Sequence, residues 1–251
     1  MVFNKKNDFD MFLKKEYIRE IGSGSQGICY YNSKTKDVYK IFYQYFDDDE
    51  DFYIEYTNEE FMRFSNIIND TYIFANDVII IEDKIVGYVT NYVVGKILSS
   101  INPLYVNLDK LSSCTNKVFG DNEKLALNGV RTHDVLYNIM YGRNGFKIID
   151  FTEYSFSNAS YEKIKRSNDR NFNEGVMKFL VDGYFDEFVL SNEVLKNMYL
   201  DNDTNVNEFI GMFKKILSEY MSCDIDKLCN AKKCLNKKLV NKDYERSYNL
   251  R

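Results

Sequence analysis

A glycine-rich loop set between two β-rich runs constrains this chain most. Residues 18–42 read IREIGSGSQGICYYNSKTKDVYKIF. Within them Gly22-Ser23-Gly24-Ser25-Gln26-Gly27 fits G-x-G-x-x-G, and Lys40 follows inside an apolar run. Glycine has no side chain to hold a ligand away, so such a loop can close its N–H groups over phosphate oxygens. A dinucleotide-binding fold would set the loop between a strand and a helix, with an acidic residue ~20 positions on. Here strand-like sequence lies on both sides, which argues against that fold. A lysine on an inner strand face needs an anionic partner, because a lone buried ammonium is costly. The alternative is a buried stem whose amine reaches water.

The rest of the first third continues in this style. YIREIG (17–22), ICYYN (28–32) and DVYKIFY (37–43) read as short strands, with NSKTKD as a tight turn. Residues 58–70 switch to a helical period, with Phe61, Phe64, Ile67 and Ile68 on one stripe. Glu60 lies on the same face and is the expected partner of Lys40, with Glu59 as the alternative. Residues 76–95 return to two strands joined at Glu82-Asp83-Lys84. After Gly95, read as a hinge, helix dominates. A helix ends at Asn128-Gly129, a hairpin turns over Gly142 to Gly145, and three helical runs follow from about 168. Ser191 and Asn205 read as N-caps. The expected domains are thus a β-rich lobe over 1–95 and a helical lobe over 96–251.

Composition narrows the partners. With 45% hydrophobic residues and a single proline, Pro103, an ordered globular protein is expected. Heavy use of Asn, Lys, Ile and Tyr suits an AT-rich, most often bacterial, genome. The net charge of -5 argues against a nucleic-acid coat. An acidic run over 47–60 and a basic one over 232–251 read as solvated surface, the latter alternatively as a docking or anionic-lipid contact. The five cysteines form no C-x-x-C pair and no zinc spacing. The start reads as no signal peptide, and no apolar run approaches the ~20 residues of a membrane span. Reduced thiols in the cytoplasm are expected.

A second stretch, RTHDVLYNIMYGRNGFKIIDFTEYS (131–155), groups short oxygen donors around the hairpin. Asn138 opens its first strand and Asp150 ends its second. A carboxylate with an amide oxygen suits Mg²⁺, which keeps waters and binds substrate phosphates. A second carboxylate, Asp134, can orient a hydroxyl proton.

The two stretches together resemble the protein kinase fold, including its small-molecule and atypical bacterial branches. GSGSQGIC resembles the family's glycine loop, with Cys29 over the adenine. VYK, from Val38 to Lys40, resembles V-A-I-K, which implies that Lys40 holds the α/β-phosphates and pairs with Glu60. YVTNYVVG resembles the strand into the family's hinge, with Thr90 as gatekeeper and backbone groups of Asn91 and Val93 toward the adenine edge. HDVLYNIM resembles the catalytic loop and IIDFTEYS the D-F-G segment. By that likeness Asn138 and Asp150 ligate magnesium and Met140 packs under the base. The resemblance spans roughly residues 17–155. It implies an α+β fold: a bilobal kinase-like protein with a small antiparallel β lobe carrying one helix, then a mainly helical lobe. The implied ligands are ATP and Mg²⁺, with a hydroxyl acceptor on a protein or a small molecule.

Three features depart from the family. Its catalytic Asp stands five residues before the Asn. Here Asp134 stands four before Asn138, so counting from one side gives Asp134 and from the other His133, the only histidine. Thr152 replaces the Gly of D-F-G, and no A-P-E segment follows. The expected function is therefore an ATP-dependent phosphotransferase, with an inactive pseudokinase, a nucleotide- or protein-binding module, as the alternative.

Overall fold

The computed structural model describes residues 1–46 and 57–237. The acidic residues 47–56 and the basic tail from 238 lie outside them. The chain forms two compact units: residues 1–94 with 150–152, and residues 95–149 with 153–251.

The first unit is a six-stranded sheet. Its strands are β1 (Val2–Phe3), β2 (Ile18–Ser23), β3 (Gly27–Asn32), β4 (Asp37–Phe42), β5 (Asp77–Ile81) and β6 (Lys84–Asn91), in the order β1-β5-β6-β4-β3-β2. All pairs are antiparallel except β1 with β5. The β5–β6 turn holds only Glu82 and Asp83, both left-handed at φ 50° and 65°, which is the geometry a two-residue hairpin needs.

Alternation splits the sheet into two faces. Tyr39, Ile41, Ile79, Ile81 and Val89 join a core cluster with Phe9 of α1 (Lys6–Leu13). Sequence reading missed α1, so the described residues of this unit hold two α-helices rather than the one expected. The other face carries Lys40, directly opposite Cys29 on β3 and Tyr88 on β6, while Val38 faces Thr90. Glycines let β4 run close to both neighbours. A Cβ at Gly27 would stand 2.1 Å from the Ile41 carbonyl oxygen, and one at Gly87 2.2 Å from that of Lys40.

The second helix, α2 (Asn58–Arg63), gives way to a 3₁₀ turn over Phe64–Asn66. The helix expected to reach 70 therefore stops early, and Ile68, expected on its apolar stripe, is exposed.

The second unit contains β7 (Lys96–Ile97), α3 (Leu108–Leu127), β8 (Val130–Arg131), α4 (Val135–Asn138), β9 (Ile139–Gly142), β10 (Gly145–Ile148), β11 (Ser155–Phe156), α5 (Tyr161–Val181), α6 (Asp186–Ser191), α7 (Glu193–Leu200) and α8 (Val206–Met221). The α3 helix ends at Asn128, followed by left-handed Gly129, as the sequence suggested. The hairpin β9–β10 turns between Gly142 and Gly145, also as expected. Asn205 caps α8, but Ser191 is not a cap. Its hydroxyl donates to the Phe188 carbonyl, and Asn192 caps α7 by accepting from the Leu195 N–H. The helical run placed from about 168 begins at Tyr161. Gly175 brings α5 close to α4 and to the start of β9, since a Cβ there would lie 3.5 Å from the Leu136 Cα and 2.7 Å from the end of the Ile139 side chain.

Candidate functional site

Lys40 is the charged residue around which the first unit is organised. Its neighbours Tyr39 and Ile41 are fixed in the core, so the Lys40 side chain is committed to the opposite face. It is 6% exposed. Its ammonium donates to the Asp150 carboxylate at 2.5 Å and to the Gln26 amide oxygen at 3.0 Å, and lies 5.7 Å from the centre of the Tyr88 ring. The buried ammonium thus has its anion, but the anion is not the one expected.

Glu60 does not meet Lys40. Its carboxylate turns back on its own helix, accepting the Thr57 N–H at 2.8 Å and the Thr57 hydroxyl at 2.9 Å. The Thr57 side chain in turn accepts the Glu60 N–H. This reciprocal cap holds the Glu60 carboxyl below its ordinary range, the backbone hydrogen bond being the main cause. The physical reason for the missed pairing is therefore local: Glu60 stands at the third position of a helix whose N-terminal N–H groups need an acceptor. Glu59, the alternative, is exposed.

Asp150 is held in place through its neighbours. Phe151 is 1% exposed and sits among Phe61, Phe64, Phe74 and Tyr88, with ring centres 4.9 to 5.5 Å away. That anchor fastens residues 150–152 to the first unit. Asp150 itself takes a left-handed backbone, φ 63°, a conformation that costs a non-glycine residue energy and is common at functional sites. The Thr152 hydroxyl lies 2.8 Å from the Asp150 carboxylate and 2.5 Å from the Gln26 amide oxygen. The Tyr88 hydroxyl reaches Asp150 at 3.4 Å.

The glycine loop joins β2 to β3. Gly22 pairs with Cys29 and Ser23 with Ile28, while Ser25 is exposed. The loop is pinned at both ends: the Gly24 N–H donates to the Gly27 carbonyl, the Tyr43 hydroxyl to the Gly24 carbonyl, and the Tyr43 N–H to the Gln26 carbonyl. Among the described residues, nothing lies within 4 Å of a Cβ built on Gly22 or Gly24. Cys29 and Val38 are half-buried on the Lys40 face, and Thr90 is buried beside them. Burial pushes the Cys29 thiol up, with Lys40 opposing, so it is a neutral thiol. Beyond Thr90, Asn91 is exposed and accepts from the Asn76 side chain, and Val93 is half-buried.

In the second unit, Asp134 also has a left-handed backbone, φ 49°, and begins the single turn α4. The Asn138 side chain folds back and donates to the Asp134 carbonyl at 2.8 Å, with the Asp134 carboxylate 3.4 Å away. Met140, half-buried on β9, pairs with Lys147 and Ile97. The His133 ring is 3.3 Å from the Ser155 hydroxyl, and burial with the nearby Arg131 holds it below its ordinary pKa, so it is neutral at pH 7.

The approach to Asp134 is set by residues sequence reading missed. Asn168 of α5 is fully buried, accepts the Thr132 N–H at 2.9 Å and donates to the Val130 carbonyl at 3.0 Å. Asn171 donates to the Thr132 carbonyl at 2.8 Å. No motif marks these asparagines, although two amides three apart on an otherwise amphipathic helix are a usable hint. Among the described residues no group of three or more His, Cys, Asp or Glu is placed to hold a metal. Asp150 in the first unit offers a carboxylate and Asn138 in the second an amide oxygen, each the kind of donor taken by a cation that draws most of its oxygens from phosphates and water.

No family profile matches the chain, and no curated protein matches it. Solved structures do. The kinase domain of PknI from Mycobacterium tuberculosis superposes with a TM-score of 0.52 at 12% identity, covering 78% of this chain and 93% of that one. The chain therefore has a protein kinase-like fold of the α+β class. Among the described residues, no helix is long and apolar enough to cross a membrane.

Proposed function

We propose that the chain binds ATP with Mg²⁺ and transfers its γ-phosphoryl group to a hydroxyl acceptor. The observation that carries this reading is the buried Lys40, aimed at Asp150 from a strand face beneath the glycine loop. In this reading the main chain of Gly22 to Gly27, including Ser23, Ser25 and Gln26, faces the phosphates. The free space at Gly22 and Gly24 supports it, because nothing among the described residues crowds a side chain there. Lys40 neutralises phosphate charge. Cys29, Val38, Thr90 and Met140 line the base, and the backbones of Asn91 and Val93 meet its edge. Asp150 and Asn138 hold the metal, whose contribution is to neutralise charge on the phosphates. Asp134 orients the acceptor hydroxyl, with His133 as the alternative. Phosphoryl transfer of this kind relies on positioning and charge neutralisation, which these residue types supply. The lobes 1–95 and 96–251, with a hinge at Gly95, and a cytoplasmic setting belong to the same reading.

A second reading, a pseudokinase, is favoured by one specific observation. Glu60 serves its own helix and leaves Lys40 to Asp150. Such a protein keeps the nucleotide or a protein partner and transfers nothing.

Thermal melting with ATP, with and without Mg²⁺, tests the binding step, because a ligand specific to the native state raises its melting point. A magnesium-dependent rise, lost in Lys40→Ala and Asp150→Ala, is expected. No rise at saturating ATP would sink both nucleotide readings. Transfer from labelled ATP over a panel of hydroxyl acceptors separates the two: Asp150→Ala abolishes it in a kinase, and a pseudokinase has none to lose.

A further inference from the structure

Gln26 makes contacts that a phosphate loop has no need of. Its amide oxygen accepts from Lys40 at 3.0 Å and lies 2.5 Å from the Thr152 hydroxyl. We infer that this side chain is an internal stand-in for a phosphate oxygen, and that it latches the loop onto Lys40 until a phosphorylated ligand displaces it. The inference rests on the nucleotide reading for the identity of that ligand, but not for its chemistry, which is a polyphosphate.

Three observations carry it. The first is the kind of atom involved. Lys40 has three N–H donors, one directed to Asp150 and one to Gln26, so a polyphosphate that takes two of them displaces the Gln26 oxygen. The second is the single proton of Thr152. Its hydroxyl lies within hydrogen-bond distance of both Gln26 and Asp150, yet it can donate to only one at a time. Donation to Gln26 fastens the latch; once Gln26 leaves, the same proton is available to Asp150. Releasing the latch therefore leaves no hydroxyl proton stranded. The third is the backbone. The Tyr43 N–H holds the Gln26 carbonyl, and the packing of Gly27 against Ile41 fixes the next residue. Gln26 can thus release Lys40 by rotating its side chain, with no movement of the loop. Thr152 stands where the resembled family has glycine, so the second anchor of the latch is a feature of this chain.

The experiment measures binding of ATP, inorganic triphosphate and adenosine to wild type, Gln26→Ala, Gln26→Glu and Thr152→Ala. Gln26→Ala is expected to bind triphosphate and ATP roughly fivefold more tightly, the equivalent of one typical net hydrogen bond. Gln26→Glu should bind both more weakly, because a carboxylate holds Lys40 harder and repels phosphate. Adenosine, which has no phosphate, should be unaffected in each. Thr152→Ala should tighten triphosphate binding by less than Gln26→Ala. The double variant should gain no more than Gln26→Ala, since both changes undo one latch. The opposite signs of the Ala and Glu variants guard against a simple folding defect.

Unchanged or weaker triphosphate binding in Gln26→Ala would overturn the latch. So would an equal change in adenosine binding, which would mark a structural role. If triphosphate binds more tightly to Gln26→Ala while adenosine and ATP show no base-dependent binding, the latch stands and the nucleotide reading falls. If ATP binds wild type and Gln26→Ala alike, the reading stands and the latch falls.

Discussion

The two aspartate turns, at Asp150 and at Asp134, share a left-handed backbone but are fastened by opposite means. Asp150 is held by an aromatic ring: Phe151 sinks into four other rings, and the carboxylate is carried along. Asp134 is held by amides: Asn168 and Asn171 grip the main chain of the residues before it. Apolar burial is strong but barely directional. Hydrogen bonds to a buried main chain contribute less net energy, yet fix position and penalise any loss of a partner. The first anchor should therefore tolerate a change of shape, and the second should tolerate almost no change of chemistry.

The largest expected effect tests the aromatic anchor. Phe151→Ala should cost about 3–5 kcal/mol of stability by denaturant unfolding. Phe151→Leu should cost less than about 1.5 kcal/mol if only apolar volume matters. Equal losses in the two variants would mean that ring geometry, not burial, holds Asp150.

Next comes the amide anchor. Asn168→Asp keeps the shape but removes the N–H donor to the Val130 carbonyl, and about 1–3 kcal/mol should be lost. A neutral result would break the contrast, since the second turn would then be as forgiving as the first.

A smaller effect is expected at α2. Thr57→Ala removes the helix cap, at a cost of about 1 kcal/mol, and releases the Glu60 side chain. If Lys40 prefers Glu60 once it is freed, a nuclear magnetic resonance titration of that variant should show Lys40 sensing Glu60 protonation. If it shows no such coupling, Asp150 is the preferred partner outright.

The smallest effect is a pH dependence at His133. Folding holds this imidazole below its ordinary value of 6.5, mainly by burial. The unfolded chain binds the proton more readily, so the stability this group contributes is present above that value and fades as the pH falls below it. Comparing melting points of wild type and His133→Asn from pH 7 to pH 5 should show a slightly shallower decline in the variant.

The strands β2 to β6, the β9–β10 hairpin and the α3 terminus were legible in the sequence because turn residues and alternation act locally, whereas the two-residue β1 was not. The Lys40–Asp150 pair was legible only in part. A buried lysine announces its need for an anion, but the sequence pointed to Glu60 or Glu59, and the outcome depended on a helix end having already claimed Glu60. The α1 helix went unread because its apolar residues, Phe9 and Phe12, cover a sheet face that sequence alone does not reveal as uncovered. Ile68 was misplaced because nothing in its own residue type says that the α-helix gives out at Arg63 and the 3₁₀ turn at Asn66.

The glycines at 22, 24, 27 and 87 carry a consequence for how this protein can vary. A saturation library would treat them as two unlike pairs. Gly27 presses against the Ile41 carbonyl and Gly87 against that of Lys40, so any side chain there should abolish expression of folded protein. Gly22 and Gly24 meet nothing among the described residues, so alanine variants at those positions should fold and melt like wild type. One short motif thus holds positions closed to mutation by the fold itself and positions that only a ligand could police.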